Sequence, residues 1–305
     1  MLIPSISNET NPLQCVLLGI ANQSGSTPNY EDAYDPKSRL HILKGTYPKE
    51  QDLIQQLDLM HATLEKYGVE VLRPQIVSNC NQIFSRDIAF VIEDCLFISN
   101  ILPARDREID AIQYILDRIP NQNIRTIPEH VHVEGGDVIV HNEFLFVGFY
   151  DQPDYPYYVT ARTNAKALRY LSAQFPQKKV IGFELNKSND NPFANTLHLD
   201  CCFQPFGNEW AIVYPGGFMH QEDVVWIENH FGSENLFFSD QQSMFEMQSN
   251  LLSVRPDLVI SDPTFTAVNK WLKTKGIQIV KVPYDEISKQ GGLFRCSTLP
   301  LIRKV

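Results

Sequence analysis

The chain has 305 residues, 43% hydrophobic and 20% charged, with 26 lysines and arginines against 36 aspartates and glutamates. That composition supports a sizeable packed core, and the formal charge of −10 argues against a nucleic-acid or anionic-membrane surface while suiting a small cationic ligand. Six scattered cysteines without a C-x-x-C pair argue against a disulfide scaffold, and with no secretory leader and no run near ~18 apolar residues the expectation is a cytoplasmic protein off the membrane.

Residues 14–20 read as a buried strand. A polar loop rich in Asn, Ser, Pro and Tyr follows over 21–48, a length at which loops are often lids or binding loops. The spacing then predicts a helix after Pro48, because Leu53, Leu57, Met60 and Leu64 share one face, and Gly68 stops it. A short strand covers 69–72. Strands at 88–92 and 95–99 flank Glu93-Asp94 as a hairpin. A helix with Ile109, Ile112, Leu116 and Ile119 inward runs to Pro120, and a strand covers 123–127.

The same order recurs. Strands at 138–140 and 144–147 precede a helix at 163–175 and a strand at 179–185. Strands at 202–204 and 210–214 precede a helix at 221–230 and a strand at 235–238. Strands at 250–254 and 258–260 precede a helix at 264–275 and a strand at 277–282. The run holding Cys296 is left over, β-like by its alternation, and is expected to supply the missing hairpin partner beside the first strand. A period of about 45–60 residues for hairpin, helix and strand predicts one α/β domain, 1–305, of five ββαβ units around a shared core.

Several short segments carry groups suited to chemistry. Asp87, in Phe84-Ser85-Arg86-Asp87-Ile88, is an acid at the mouth of a strand. His132-Val133-Glu134-Gly135-Gly136-Asp137 flanks a glycine pair with two carboxylates. Leu197-His198-Leu199-Asp200 would put His198 and Asp200 on one strand face. Cys296 follows the pair Gly291-Gly292. A cysteine that attacks at neutral pH needs a lowered pKa or a base, His198 can be that base and acid, and Glu134 can hold its tautomer. Asp87, Asp137 and Asp200 are then surplus acids, which suits a substrate that is a cation with several N–H donors. A guanidinium is such a cation and pairs bidentately with carboxylates. The two glycines would let the backbone approach it. A different reading uses His130, His132 and Glu134 with His198 and Asp200 as nitrogen and oxygen ligands of a metal in a metal-dependent hydrolase.

Taken in order, Arg86-Asp87, Glu134-Gly135-Gly136-Asp137, Arg162-Thr163-Asn164, His198-Leu199-Asp200 and Gly291-Gly292 with Cys296, Pro300 and Arg303 resemble the guanidino-group-modifying superfamily. That superfamily contains arginine deiminase, dimethylarginine dimethylaminohydrolase and the amidinotransferases. The resemblance implies a five-bladed pseudo-symmetric α/β propeller, the pentein fold. It implies a hydrolase of arginine or a derivative that works through a covalent S-alkylthiouronium intermediate. Cys296 would be the nucleophile, His198 the general acid and base, and Glu134 the group that orients His198. Asp87, Asp137 and Asp200 would bind the guanidinium, and Arg162 matches the position that grips a substrate carboxylate. No metal and no organic cofactor is implied. An amidinotransferase, which passes the amidino group to an amine, shares the first half-reaction and is the alternative; a non-catalytic binding propeller is a further one. Asp200 stands where the dimethylarginine enzymes tend to carry lysine, which suits an unsubstituted terminal nitrogen. The 47 positions from Asp87 to Glu134 leave out the helical insertion typical of arginine deiminases. Segment 149–158 is longer than the corresponding link in the dimethylarginine enzymes and is expected to shape the side-chain pocket. The expected partner is a small guanidino substrate, with a homo-oligomer compatible.

Overall fold

The apolar runs of the sequence become short strands in five three-stranded sheets in a computed structural model, which describes residues 1–304. The first sheet joins β1 (Leu13–Leu18) to β2 (Glu70–Leu72). The second holds β3 (Ala89–Ile92), β4 (Cys95–Ile98) and β5 (Ile124–Thr126). The third holds β6 (Val138–His141), β7 (Phe144–Phe149) and β8 (Lys179–Glu184). The fourth holds β9 (Phe203–Phe206), β10 (Trp210–Val213) and β11 (Leu236–Phe238). The fifth holds β12 (Leu252–Arg255), β13 (Leu258–Ser261) and β14 (Gln278–Lys281). In the last four sheets the first two strands pair antiparallel and the third lies parallel to the middle one. In the first sheet β15 (Thr298–Arg303) takes the place of the leading strand, running antiparallel to β1 with Leu13 opposite Arg303 and Leu18 opposite Thr298. The two ends of the chain therefore close one ring of five units, the pentein architecture.

Local chemistry explains the units. Glu93 and Asn142 adopt φ of 53° and 54° in the two-residue turns of the second and third hairpins, which such tight connections require. The helix Glu50–Lys66 buries Leu53, Leu57, Met60 and Leu64. The helices Lys166–Gln174, Gln221–Phe231 and Thr266–Thr274 do the same for the later sheets. In the second unit the expected helix is two separate turns, Arg107–Asp110 and Gln113–Leu116, because Ile112 sits at φ −107°, ψ 7° between them. Ile112, Leu116 and Ile119 are nonetheless buried.

The polar stretch before Glu50 is not all loop. Pro36–Leu43 is a helix whose cap, Asp35, accepts from the N–H groups of Lys37 and Ser38, with Pro36 at the first position. Lys37 ties it down, donating to Phe245 O at 2.6 Å and Ser288 Oγ at 3.0 Å. Burial pushes the Lys37 pKa down to about 8.

Two strand assignments change. His198 and Asp200 lie at a one-turn 3-10 helix, Leu199–Cys201, and Cys296 lies in a turn before β15. The turn is favoured because Ser297 Oγ and Thr298 Oγ1 both donate to Phe294 O, curling the backbone that alternation alone would extend.

Candidate active site

Each sheet contributes the residues just ahead of its leading strand. Ser85–Ile88 precedes β3, Gly135–Asp137 precedes β6, Leu199–Cys201 precedes β9, Asn250 precedes β12, and Cys296 precedes β15. Repetition of the fold thus gathers into one place residues more than 200 positions apart.

A cavity of about 870 Å³ opens here, with Asp87, Arg105, Arg162, His198 and Cys296 on its wall. Much of the remaining lining comes from residues 24–53, so the helix Pro36–Leu43 and its flanks cover the site as the long polar segment suggested.

His198 Nε2 lies 2.8 Å from Glu134 Oε2. Its Nδ1 lies 3.7 Å from Asp87 Oδ1, beyond hydrogen-bond length, and both atoms are buried without a partner. Gly136 makes the approach possible, because an added Cβ would stand 2.7 Å from His198 Cγ and Nδ1. Burial alone would push the His198 pKa down, but Asp87, Asp137 and Glu134 outweigh it and the imidazole titrates above its ordinary 6.5. Burial would raise Glu134, yet Arg162, His198 and Arg105 hold it well below the usual carboxylate range.

Cys296 Sγ accepts from Asn250 Nδ2 at 3.1 Å, and Asn250 Oδ1 accepts from Cys296 N–H at 3.1 Å. Asp200 Oδ2 stands 3.8 Å from the sulfur. Burial, then Asp200 and Asp87, push the thiol far above its ordinary pKa. Asp200 is itself balanced by Arg295, whose Nη1 donates to Oδ2 at 2.6 Å while Nε and Nη2 grip Glu9 at 3.0 and 2.7 Å.

The sequence-derived residues separate into three positions. Asp87, His198, Cys296 and Arg162 reach the cavity wall, and Glu134 and Asp200 stand directly behind His198 and Cys296. Asp137 lies behind the wall, where its Oδ1 accepts from Leu199 N–H at 2.8 Å and so holds the turn that carries His198. Gly291 and Gly292 make room for the protein itself: an added Cβ would stand 2.8 Å from Asp35 Oδ1 at the first, which has φ +79°, and 2.3 Å from Phe84 Cε1 at the second. Arg162 donates to Glu134 Oε2 at 3.1 Å, to Val159 O and to Tyr34 O. The five-residue metal set does not assemble, since His130 is exposed and His132 is held by Asp154 at 2.8 Å and stacked on Tyr155. Asp87, Glu134 and His198 do bring one ligand atom each within 4.8 Å of one another. The Arg105 guanidinium already stands against both acids, 2.8 Å from Asp87 Oδ2 and 3.9 Å from Glu134 Oε2.

Three residues of the site escape sequence reading: Asn250, Arg105 and Glu108. Arg105 grips Glu108 through Nε and Nη2 at 2.7 and 2.9 Å. Asn250 had a signal, because it stands two places before β12 as Asp87 does before β3 and Cys296 before β15.

The family model for N,N dimethylarginine dimethylhydrolase, eukaryotic, matches residues 43–303. The chain belongs to this family. Through it the chain is a member of the guanidino-group-modifying superfamily, whose order of motifs it carries from Arg86 to Arg303. This dimethylhydrolase-family chain is 30% identical over 243 residues to the uncharacterised protein YkgA of Bacillus subtilis (strain 168), covering 79% of this chain and 77% of that one. It is 26% identical over 267 residues to the arginine deiminase of Bacillus cytotoxicus, covering 73% of this chain and 62% of the deiminase. Among solved structures, the N-terminal domain of ArgZ, a cyanobacterial arginine dihydrolase, superposes with a TM-score of 0.75 at 16% identity, over 95% of this chain and 98% of that one. An inosamine-phosphate amidinotransferase of Streptomyces griseus superposes with a TM-score of 0.74 at 18% identity, over 100% and 98%. These two likenesses establish the shared fold.

Proposed function

We propose that the chain hydrolyses a guanidino compound, arginine or a derivative, with Cys296 as nucleophile. One observation carries this reading: Asp87 Oδ1 is buried without a partner, on a residue that lines the same cavity as Cys296. A buried carboxylate oxygen without a partner is costly, and a planar cation rich in N–H groups would satisfy it. The family match and the arginine deiminase relatives support the same substrate class.

Burial and the nearby Asp200 and Asp87 favour the neutral thiol. A guanidinium bound at Asp87, in the cavity that Cys296 also lines, brings positive charge to the sulfur, and the thiol proton passes to solvent as the cation settles. The thiolate attacks the guanidinium carbon at close range. The tetrahedral adduct collapses as imidazolium His198 gives its Nδ1 proton to the departing amine, leaving an S-alkylthiouronium. Neutral His198 then takes a proton from water. The hydroxide adds to the thiouronium carbon, and expulsion of the thiol releases a ureido product. Glu134, bonded to Nε2, keeps the ring oriented throughout. Arg105 holds Asp87 in place through its second oxygen. Arg162 lines the cavity as a candidate for the substrate carboxylate, with Glu134 sharing its charge.

A panel of guanidino compounds tests the proposal, with and without an added amine. Ammonia or amine released together with a ureido product is the expected result. A guanidinylated acceptor in place of the ureido product would make the protein an amidinotransferase, and turnover that survives Cys296→Ala would overturn the mechanism.

A further inference from the structure

We propose that Arg39, carried by the Pro36–Leu43 helix, supplies the unshared positive charge that recognises a carboxylate on the substrate's tail. This rests on the guanidino reading of the same cavity. Four arginine and lysine side chains line the cavity: Arg39, Lys49, Arg105 and Arg162. Arg105 is spent on Glu108 and Asp87, and Arg162 shares its charge with Glu134. Arg39 has no carboxylate within 4.0 Å among the described residues. Its side chain is nevertheless fixed. Nε donates to Ala33 O at 3.0 Å, Nη1 donates to Asn189 O at 3.1 Å, and the guanidinium lies 5.5 Å from the Tyr30 ring centre.

Those contacts leave Nη2 and one Nη1 hydrogen free, the pair that meets a carboxylate side by side. The position is also right. Arg39 is anchored at Ala33 O and Arg162 at Tyr34 O, two consecutive carbonyls, with Arg162 buried and Arg39 half-buried. Arg39 is thus the outer of the two, where the tail of a substrate with its guanidinium at Cys296 would end. Lys49 is exposed and makes no side-chain hydrogen bond among the described residues, so it is not preorganised for the task. Glu31 and Asp32 share the wall, beside Tyr30. They disfavour a dianion such as phosphate and suit the ammonium group of an amino-acid tail.

The test compares arginine with agmatine, the same guanidino chain without the carboxylate, in wild type, Arg39→Ala and Arg39→Lys. Labelling of Cys296 by chloroacetamidine, which has no tail, is followed in parallel. Wild type is expected to prefer arginine. Arg39→Ala should lower kcat/KM for arginine about 10- to 100-fold, the loss of one charge-assisted pair, leave agmatine and labelling unchanged, and be partly restored in Arg39→Lys. Equal losses for arginine, agmatine and labelling would mean that Arg39 only holds the helix, and would overturn the proposal. So would a wild type that is labelled yet uses agmatine as well as arginine, or accepts no carboxylate-bearing compound. Absence of labelling together with absence of turnover would instead contradict the guanidino reading itself.

Discussion

Cys296 and His198 face the cavity with opposite needs, and the acids around them serve both. Burial, Asp200 and Asp87 push the thiol pKa up, while Asp87, Asp137 and Glu134 push the imidazole pKa up against burial, so Asp87 acts on both. On the proposed mechanism a cationic substrate would offset the first effect, so the thiol would be armed only when the substrate is present. The acids do this from different distances, and substitution separates them. Asp87→Asn is expected to reduce kcat/KM by about 100-fold or more, because the carboxylate proposed to meet the guanidinium loses its charge. Asp137→Asn keeps an acceptor for Leu199 N–H, so its effect should fall on kcat and stability rather than on substrate affinity. Equal rises in KM for both would remove the distinction. The imidazole also makes stability depend on pH. Its folded pKa is raised above 6.5, so the stabilisation it provides is full below pH 6.5 and drains away as pH rises through the folded value. Urea unfolding of wild type and His198→Gln should therefore differ more at pH 6 than at pH 9, and a gap that widens with pH would contradict the assignment.

The short turns ahead of the leading strands are the elements that build the site, and they depend on small residues where side chains nearly touch. Gly136→Ala should leave the fold intact and lower kcat by about 100-fold, since the added methyl drives the imidazole from its alignment with Glu134. A variant with unchanged kcat would mean that the imidazole position is not needed. These elements also decide how much could be read from sequence. Helix Glu50–Lys66 is legible because its apolar stripe faces one way, and the hairpins are legible because both their strands are apolar. The Pro36–Leu43 helix is not, because it buries Pro36, Lys37 and Ser38 rather than a stripe, and its only signals are an Asp-Pro start. His198, Asp200 and Cys296 were identifiable as residues but not as turns, because period-two spacing is the same in a strand and across a tight bend. Arg105 and Glu108 carry no local mark: their meaning comes from Asp87, which packing alone brings to them.

At the scale of the whole molecule, closure of the ring holds the site together. Cys296 is set by β15, whose partner β1 lies at the other end of the chain, with Leu18 opposite Thr298 just beyond Cys296. Glu9, near the N-terminus, grips Arg295 and stands 3.4 Å from Arg86, so the opening segment also braces the residues beside Cys296 and Asp87. Removing residues 298–304 would expose the edge of β1, take Leu299 and Leu301 out of the core and withdraw Arg303 from Ser253 O. Each buried leucine is worth about 1.5–3 kcal/mol, so the truncated chain is expected to lose its cooperative thermal transition. A truncated protein that melts like the full chain would show that the five units do not depend on closure. Such long-range pairing also predicts slow folding for a chain with so many helices.

The most direct test of the central claim is the mass of the protein quenched in acid during turnover of a guanidino substrate. The account predicts an added mass on the peptide containing Cys296 that equals the substrate less its departing amine, absent in Cys296→Ala. Turnover to a ureido product with no mass ever trapped on Cys296, and undiminished in Cys296→Ala, would contradict it.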